Sequence, residues 1–371
     1  MDGNAGSAAD GPERVRSLLD QFVRAGEVDG AAVAIAWQGR PLLEYAAGAA
    51  APGRAAAADT LWPLASISKS YTASTVMALV ERGVLTLDTL VCSVLPAFAG
   101  DGRERVTLRH LLTHTSGLVY ESPEMEQRLR DRIPLDALVD EAQSYPLLFP
   151  PGARVSYSDY GYALAGRMAA AAAGQPFPRL VHDLLLRPAG LDDTFFPPPS
   201  GERARLAHVV GSQAYGTEGA MYNSAYALDL AHPAFGVVAT VGDLLRFGLL
   251  FAPGAGGGVL ARATASQMIS DQNPGHVPGS AYDGDSPARF AWGLGFFLKG
   301  RAGFGPDLAS PACFGHDGAS GCGLWVDPLH EVAVAFVSNR HVNTGRAAFR
   351  RRITAVGNAA LAALTRAAAA T

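Results

Sequence analysis

Cysteine is scarce and follows no pattern. The chain carries three, Cys92, Cys313 and Cys322, and an odd count at irregular spacing argues against a disulfide framework or a thiolate zinc site. They read as packed thiols. Charge is also sparse, with Asp, Glu, Lys and Arg making up 17% of residues and a formal net charge of −4. That balance points away from nucleic acid and anionic membranes as partners. The run Arg350, Arg351, Arg352 falls in a helical stretch and reads as a solvated face. No window approaches the ~20 consecutive apolar residues of a membrane span. The start of the chain lacks both the basic residues and the apolar core of a secretory leader, so the expected location is the cytoplasm. Internal repeats and low-complexity linkers are missing too.

What is present is a large apolar fraction, 49% of 371 residues, enough for one large domain or two lobes. Residues 1–11 are small and polar and are expected to be disordered. Val15, Leu18, Leu19, Phe22 and Val23 have helical spacing, which predicts a helix over 15–25. Two strands, 31–37 and 41–47, join at a tight turn around Gly39. Helices are predicted over 66–83, 108–113 with Thr107 as cap, 160–173, 181–186 and 241–251 with Thr240 as cap. Residues 200–234 read as pocket-forming loop. Strands return at 290–298, 321–326 and 332–338, and a helix over 346–368 closes the chain. With strands at both ends and helices between, the expected class is α+β. An α/β sandwich, residues 12–60 with 288–371, contains an antiparallel sheet built from both chain ends. A mainly helical lobe, 61–287, is inserted into it, with the active site between them.

Three short segments could carry chemistry. The first is S-I-S-K at 66–69. Ser66 and Lys69 lie one turn apart on one helix face, placing a nucleophile beside a titratable amine. Lysine is a base there only if burial or a neighbouring cation lowers its pKa. The competing reading is a serine helix cap with a solvated lysine. The second is Tyr157-Ser158-Asp159, between a Pro-Gly turn and a helix, where a phenolate stabilised by positive charge could act as a base. Alone, it reads as a tyrosine anchoring a turn. The third is F-G-H-D-G-A-S-G-C-G at 314–323, before a strand. Its glycines allow close backbone approach, so that a strand-edge N–H could face a developing oxyanion. Alone, it reads as a glycine-rich hairpin.

In this order the three resemble the signature of the serine β-lactamase and penicillin-binding-protein superfamily, S-x-x-K, then Y-x-N or a variant, then K-T-G or H-x-G. The chain is most similar to the class C β-lactamase-like branch, with its family VIII carboxylesterases, D-aminopeptidases and natural-product acyltransferases. L-R-H-L-L-T-H-T-S-G-L at 108–118, V-S-Y-S-D-Y-G-Y-A-L-A-G at 155–166 and F-G-V-V-A-T-V-G-D-L-L-R-F at 235–247 extend the resemblance over about 13–365. It implies a class C β-lactamase-like fold with Ser66 as acylated nucleophile. Lys69 and Tyr157 would share its activation and the protonation of the leaving group. The backbone N–H groups of Ser66 and Ala319 would form the oxyanion hole.

The chain departs from that pattern twice. Asp159 replaces the usual Asn, and its charge would favour a protonated Lys69, shifting the base role toward Tyr157. His316 stands at the Lys position of the third motif, and a neutral imidazole does not hold a substrate carboxylate as a permanent cation does. Neutral esters, thioesters or amides are therefore expected as acyl donors, with water, an amine or an alcohol as acceptor. The rival readings are β-lactamase or D-amino-acid peptidase action and, more distantly, a non-catalytic sensor. Asp159, His316, Gly318, Tyr120, Tyr222 and Trp325 are the expected substrate-binding residues, with Trp292 as a further pocket wall. No cofactor is expected. His110 and His114 lack a third ligand and read as structural, so no metal is expected.

Overall fold

The strand Gly30–Trp37 (β1) shows why the sheet is buried on both faces. Val33 and Ile35 point one way and Ala32, Ala34 and Ala36 the other, and all are buried. In the computed structural model, which describes residues 10–211, 220–252, 258–275, 291–300 and 305–368, this strand lies inside an antiparallel sheet made from both chain ends. Arg40–Ala51 (β2) and Arg54–Ala55 (β3) flank it on one side. On the other side come, in spatial order, Val332–Ser338 (β11), Cys322–Asp327 (β10), Phe314–Gly318 (β9), Phe297–Leu298 (β8) and Ala291–Trp292 (β7). The sheet has eight strands. A small sheet of Trp62–Pro63 (β4), Thr194–Phe195 (β5) and Val238–Ala239 (β6) lies in the inserted part of the chain.

Each sheet face has its own core. On the outer face Val33, Ile35, Trp325, Val334 and Phe336 pack with Val15, Leu19 and Phe22 of the helix Asp10–Arg24 (α1) and with Phe349, Ile353 and Val356 of the closing helix Arg346–Ala368. Full burial of such side chains contributes roughly 1.5–3 kcal/mol each. The inner face is lined by alanines, with Leu324, Val326 and Val337, and receives Leu244, Leu245 and Phe247 of the helix Val241–Leu249. Small residues let this helix come close. A Cβ on its Gly248 would lie 2.8 Å from Leu324 Cδ1. The same core continues through the buried helix Ser68–Glu81 (α2) into the short helix Leu108–Leu112 (α3) and the helix Asp159–Ala173 (α4). Among the described residues no helix is long and apolar enough to cross a membrane.

Several expectations need correction. Residues 10 and 11 already belong to α1, and residues 1–9 of the expected disordered start lie outside the described residues. The stretch 290–298 is not one strand. Gly295, at φ +84°, turns it into the hairpin of β7 and β8, and Phe290 lies outside the described residues. Residues 314–318 form a central strand, which their glycines concealed. The stretch 200–234 contains two short helices, Ala220–Asn223 and Ala225–Asp229, and residues 212–219 are outside the description. Residues His182–Leu186 form a π-helical turn.

Candidate active site

Ser66 sits in a single 3₁₀ turn, Ala65–Ile67, that leads into α2. The turn is entered through Ala65 in the left-handed region, at φ +47°, a conformation that costs a non-glycine residue of order 1–3 kcal/mol. Its neighbours hold it there. Leu64 N–H donates to Val237 O at 2.9 Å, and β9 passes so near that a Cβ on Gly318 would lie 2.2 Å from Leu64 O. Neither the turn nor α2 has a side-chain cap, so the Ser66 hydroxyl is not spent on capping.

Lys69 is wholly buried. Its Nζ donates to Ser66 Oγ at 3.2 Å and to Ala234 O at 3.1 Å, and forms a salt bridge with Asp159 Oδ1 at 2.6 Å. It also lies 4.6 Å from the centre of the Tyr157 ring. Burial pulls the lysine pKa below its ordinary value, and Asp159 pulls it back up. Burial raises the Asp159 pKa, and Lys69 opposes that. At 2.6 Å between two buried side chains we take the pair as ionised.

Tyr157 precedes α4, whose N-cap, Ser158, accepts the Gly161 N–H. The phenol is buried in an aromatic cluster. His114 stacks on it at 4.4 Å, Trp292 lies at 5.6 Å, Tyr120 at 5.9 Å and His316 at 6.4 Å between ring centres. Tyr120 also accepts the Asp159 N–H on its carbonyl at 2.8 Å. His316 is fully buried and packs on Phe297. Its Nδ1–H donates to Asp317 O at 2.6 Å, and its Nε2 has no partner among the described residues. Burial, reinforced by Lys69, pushes its pKa down to about 3, so the ring is neutral.

On another side of Ser66, Ala65, Val209 and Tyr222 form a small cluster against which Ala319 packs. The structure thus brings Ser66, Lys69, Tyr157, Asp159, Tyr120, His316 and Gly318 into one neighbourhood, with Ala319 and Tyr222 beside it. It does not bring Trp325 there. In the β9–β10 register Leu324 is paired with His316, so Leu324 shares the site's face and Trp325 points into the outer core. The two histidines of the 108–118 segment separate. His110 completes a capping box with Thr107, and His114 enters the aromatic cluster. Among the described residues no group of ligating side chains could hold a metal. All three cysteines are free, and burial raises the Cys322 thiol to about 12, away from nucleophilic use.

Three contributors have no short-range sequence signal. Ala234 reaches Lys69 through a loop fixed to α2, where Thr72 Oγ1 donates to Pro233 O and Ser68 Oγ accepts the Val237 N–H. His232 braces that loop, its Nδ1 accepting the Ala234 N–H at 3.1 Å. Glu121 is half-buried near Asp159, and burial with that neighbouring charge raises its pKa to about 8.

Comparison with known proteins agrees with this arrangement. The family described as Beta-lactamase matches residues 15–359. Penicillin-binding protein 4 of Amycolatopsis lactamdurans is 33% identical over 338 residues, covering 85% of this chain and 82% of that protein. Esterase EstB of Burkholderia gladioli is 35% identical over 215 residues, 53% of this chain and 55% of its own. The crystal structure of SurE with D-Leu is similar at a TM-score of 0.73 and 26% identity, covering 95% of this chain and 76% of that one.

Proposed function

The chain belongs to the beta-lactamase family, and from that premise we propose that the protein is a serine acyl-enzyme catalyst. In this reading it moves an acyl group from a small uncharged ester, thioester or amide through Ser66 to water or to an amine or alcohol. The observation that carries the reading is the place of Lys69 Nζ, within hydrogen-bond distance of Ser66 Oγ and Ala234 O and in a 2.6 Å salt bridge with Asp159 Oδ1. In this reading the carboxylate of Asp159 keeps Lys69 an ammonium, which has no lone pair for the Ser66 proton, so Lys69 serves as a fixed cation and Tyr157 as the base.

Ser66 Oγ attacks the acyl carbonyl carbon while its proton passes to the Tyr157 phenolate, which Lys69 stabilises. The oxyanion is held by the N–H groups of Ser66 and Ala319. The bond to the leaving group breaks as Tyr157 returns the proton to it, leaving the acyl ester on Ser66. Water, an amine or an alcohol then attacks that ester. Its proton goes to Tyr157 and from there to Ser66 Oγ as the new product departs.

A neutral His316 supports uncharged donors over carboxylate-bearing ones. The name of the Amycolatopsis relative favours a second reading, reaction with penicillins. Intact-mass spectrometry separates them. A small activated ester is expected to add one acyl mass to the wild type and none to Ser66→Ala, and an unmodified wild type would overturn the proposal. A stable penicilloyl adduct would favour the second reading. Acyl-enzyme decay that quickens with an added amine would mark a transacylase.

A further inference from the structure

His114 is the buried titratable group nearest Tyr157 that the mechanism above leaves unused. It follows α3, at φ +59°, where an unbranched polar residue such as Asn is at home and most side chains are strained. The ring is wholly buried. Its Nδ1 accepts the backbone N–H of Ser158, the residue after Tyr157, at 3.0 Å. Its face stacks on the Tyr157 ring at 4.4 Å and 23°. The edge of Trp292 closes on it at 4.4 Å, and Tyr162 lies at 5.2 Å.

The Nδ1 contact fixes the tautomer. A nitrogen that accepts a hydrogen bond carries no proton, so the proton of the neutral ring is on Nε2. That Nε2–H is buried and has no partner among the described residues. Phenylalanine would fill the same space without an orphaned donor, so shape alone does not explain an imidazole here. The atom that an aromatic hydrocarbon lacks is Nδ1, and its one contact is the backbone that carries Tyr157.

We propose, on the basis of the reading in which Tyr157 is the base, that His114 is a positioning residue for it. The imidazole holds the 157–158 backbone through Nδ1 and the phenol through its ring face, and so sets the ring over Lys69 Nζ. It touches neither substrate nor proton. Misplacement of a catalytic group by about 1 Å can cost on the order of 10²-fold in rate, so a contact that fixes backbone and ring together acts on kcat.

Three variants separate the two contacts. His114→Phe keeps the ring and removes the acceptor. His114→Asn keeps an acceptor in the Nδ1 position and removes the ring, and His114→Ala removes both. With a neutral activated ester as probe, the acylation rate of H114F is expected to fall by about 10–10²-fold with KM within about two-fold, H114A to fall further, and H114N to recover most of the loss. In a Tyr157→Phe background, H114F is expected to slow the residual acylation no further, because the group it positions is gone. An H114F enzyme with wild-type kcat overturns the proposal, as do losses that add independently of Tyr157. If H114F does not fold, H114N and its Tyr157→Phe double variant carry the same cycle. Hydrogen exchange at the Ser158 amide gives a readout independent of chemistry. It should quicken in H114F and stay slow in H114N, and equal protection in both would count against the anchor. A wild type that takes no acyl group would defeat the proposed function while leaving that measurement interpretable.

Discussion

Lys69 and His316 are both fully buried basic side chains close to Tyr157, and the fold treats them in opposite ways. Around Lys69 it assembles three oxygens drawn from the 3₁₀ turn before α2, from α4 and from the 231–237 loop. Around His316 it assembles Phe297, Trp292 and Tyr157, and it satisfies only the inner nitrogen. Desolvation acts on both. Only Lys69 has a carboxylate within contact to keep its charge. In the proposed reading one side of the site holds a fixed cation, and the other holds an uncharged ring with a lone pair to offer. A substrate laid between them meets positive charge where Ser66 reacts and apolar surface where the rest of it rests.

The most direct way to break this contrast is to remove its charged half. Lys69→Met is expected to lower acylation by about 10³-fold or more. It should also cost stability, up to about 3–5 kcal/mol, because Asp159 is left buried without its partner. Denaturant titration beside acylation kinetics measures both. Next in size is His316→Lys, which places a cation on the neutral side. The ratio of kcat/KM for a carboxylate-bearing ester to that for its neutral analogue should rise by about 10-fold or more. An unchanged ratio would show that His316 does not set charge preference.

Asp159→Asn is a finer probe. It removes the charge that supports the ammonium, so Lys69 should lose its proton at lower pH. The alkaline limb of the rate profile is then expected to move to lower pH, as a fixed cation requires. A limb that stays in place would return the base role to Lys69. The smallest effect is on acid stability. His316 and His232 both have pKa values lowered from 6.5 to about 3 by burial. The unfolded chain therefore binds more protons than the folded one between those limits, and stability should fall as pH drops from about 6.5 toward 3. Thermal unfolding followed across that window measures the slope.

How much of this was legible depended on distance along the chain. Ser66 and Lys69 are one turn apart, so a tetrapeptide sufficed to put them in contact. The sheet made from both ends was readable because β1, β10 and β11 are apolar runs of strand length. Gly315 and Gly318 hid β9, because glycine is depleted in strands by propensity. Here close approach demands it, to Leu324 O at one position and Leu64 O at the other. With β9 unseen its register was unknown, and a one-residue alternation put Trp325 on the wrong face. Ala234 contributes only a backbone carbonyl, which any residue has, and nothing in its side chain could announce it. His114 sits in a recognisable segment, but its contacts to the Tyr157 turn exist only after folding.

The close passage of β9 against the 3₁₀ turn has a consequence for how such a site can diversify. Gly318 abuts Leu64, Ser320 Oγ donates to Pro63 O, and Ser338 closes onto Gly321. The turn before the nucleophile and the end of the strand facing it are thus locked together by two serine hydroxyls on backbone carbonyls and by a glycine that admits no side chain. The surrounding walls are side chains on separate elements, Tyr120 in a loop, Tyr222 in a short helix, Trp292 in β7 and Phe297 in β8. Their side chains make none of those three contacts. Catalytic geometry and substrate choice are in this way inherited separately, and selection on the second does not tax the first.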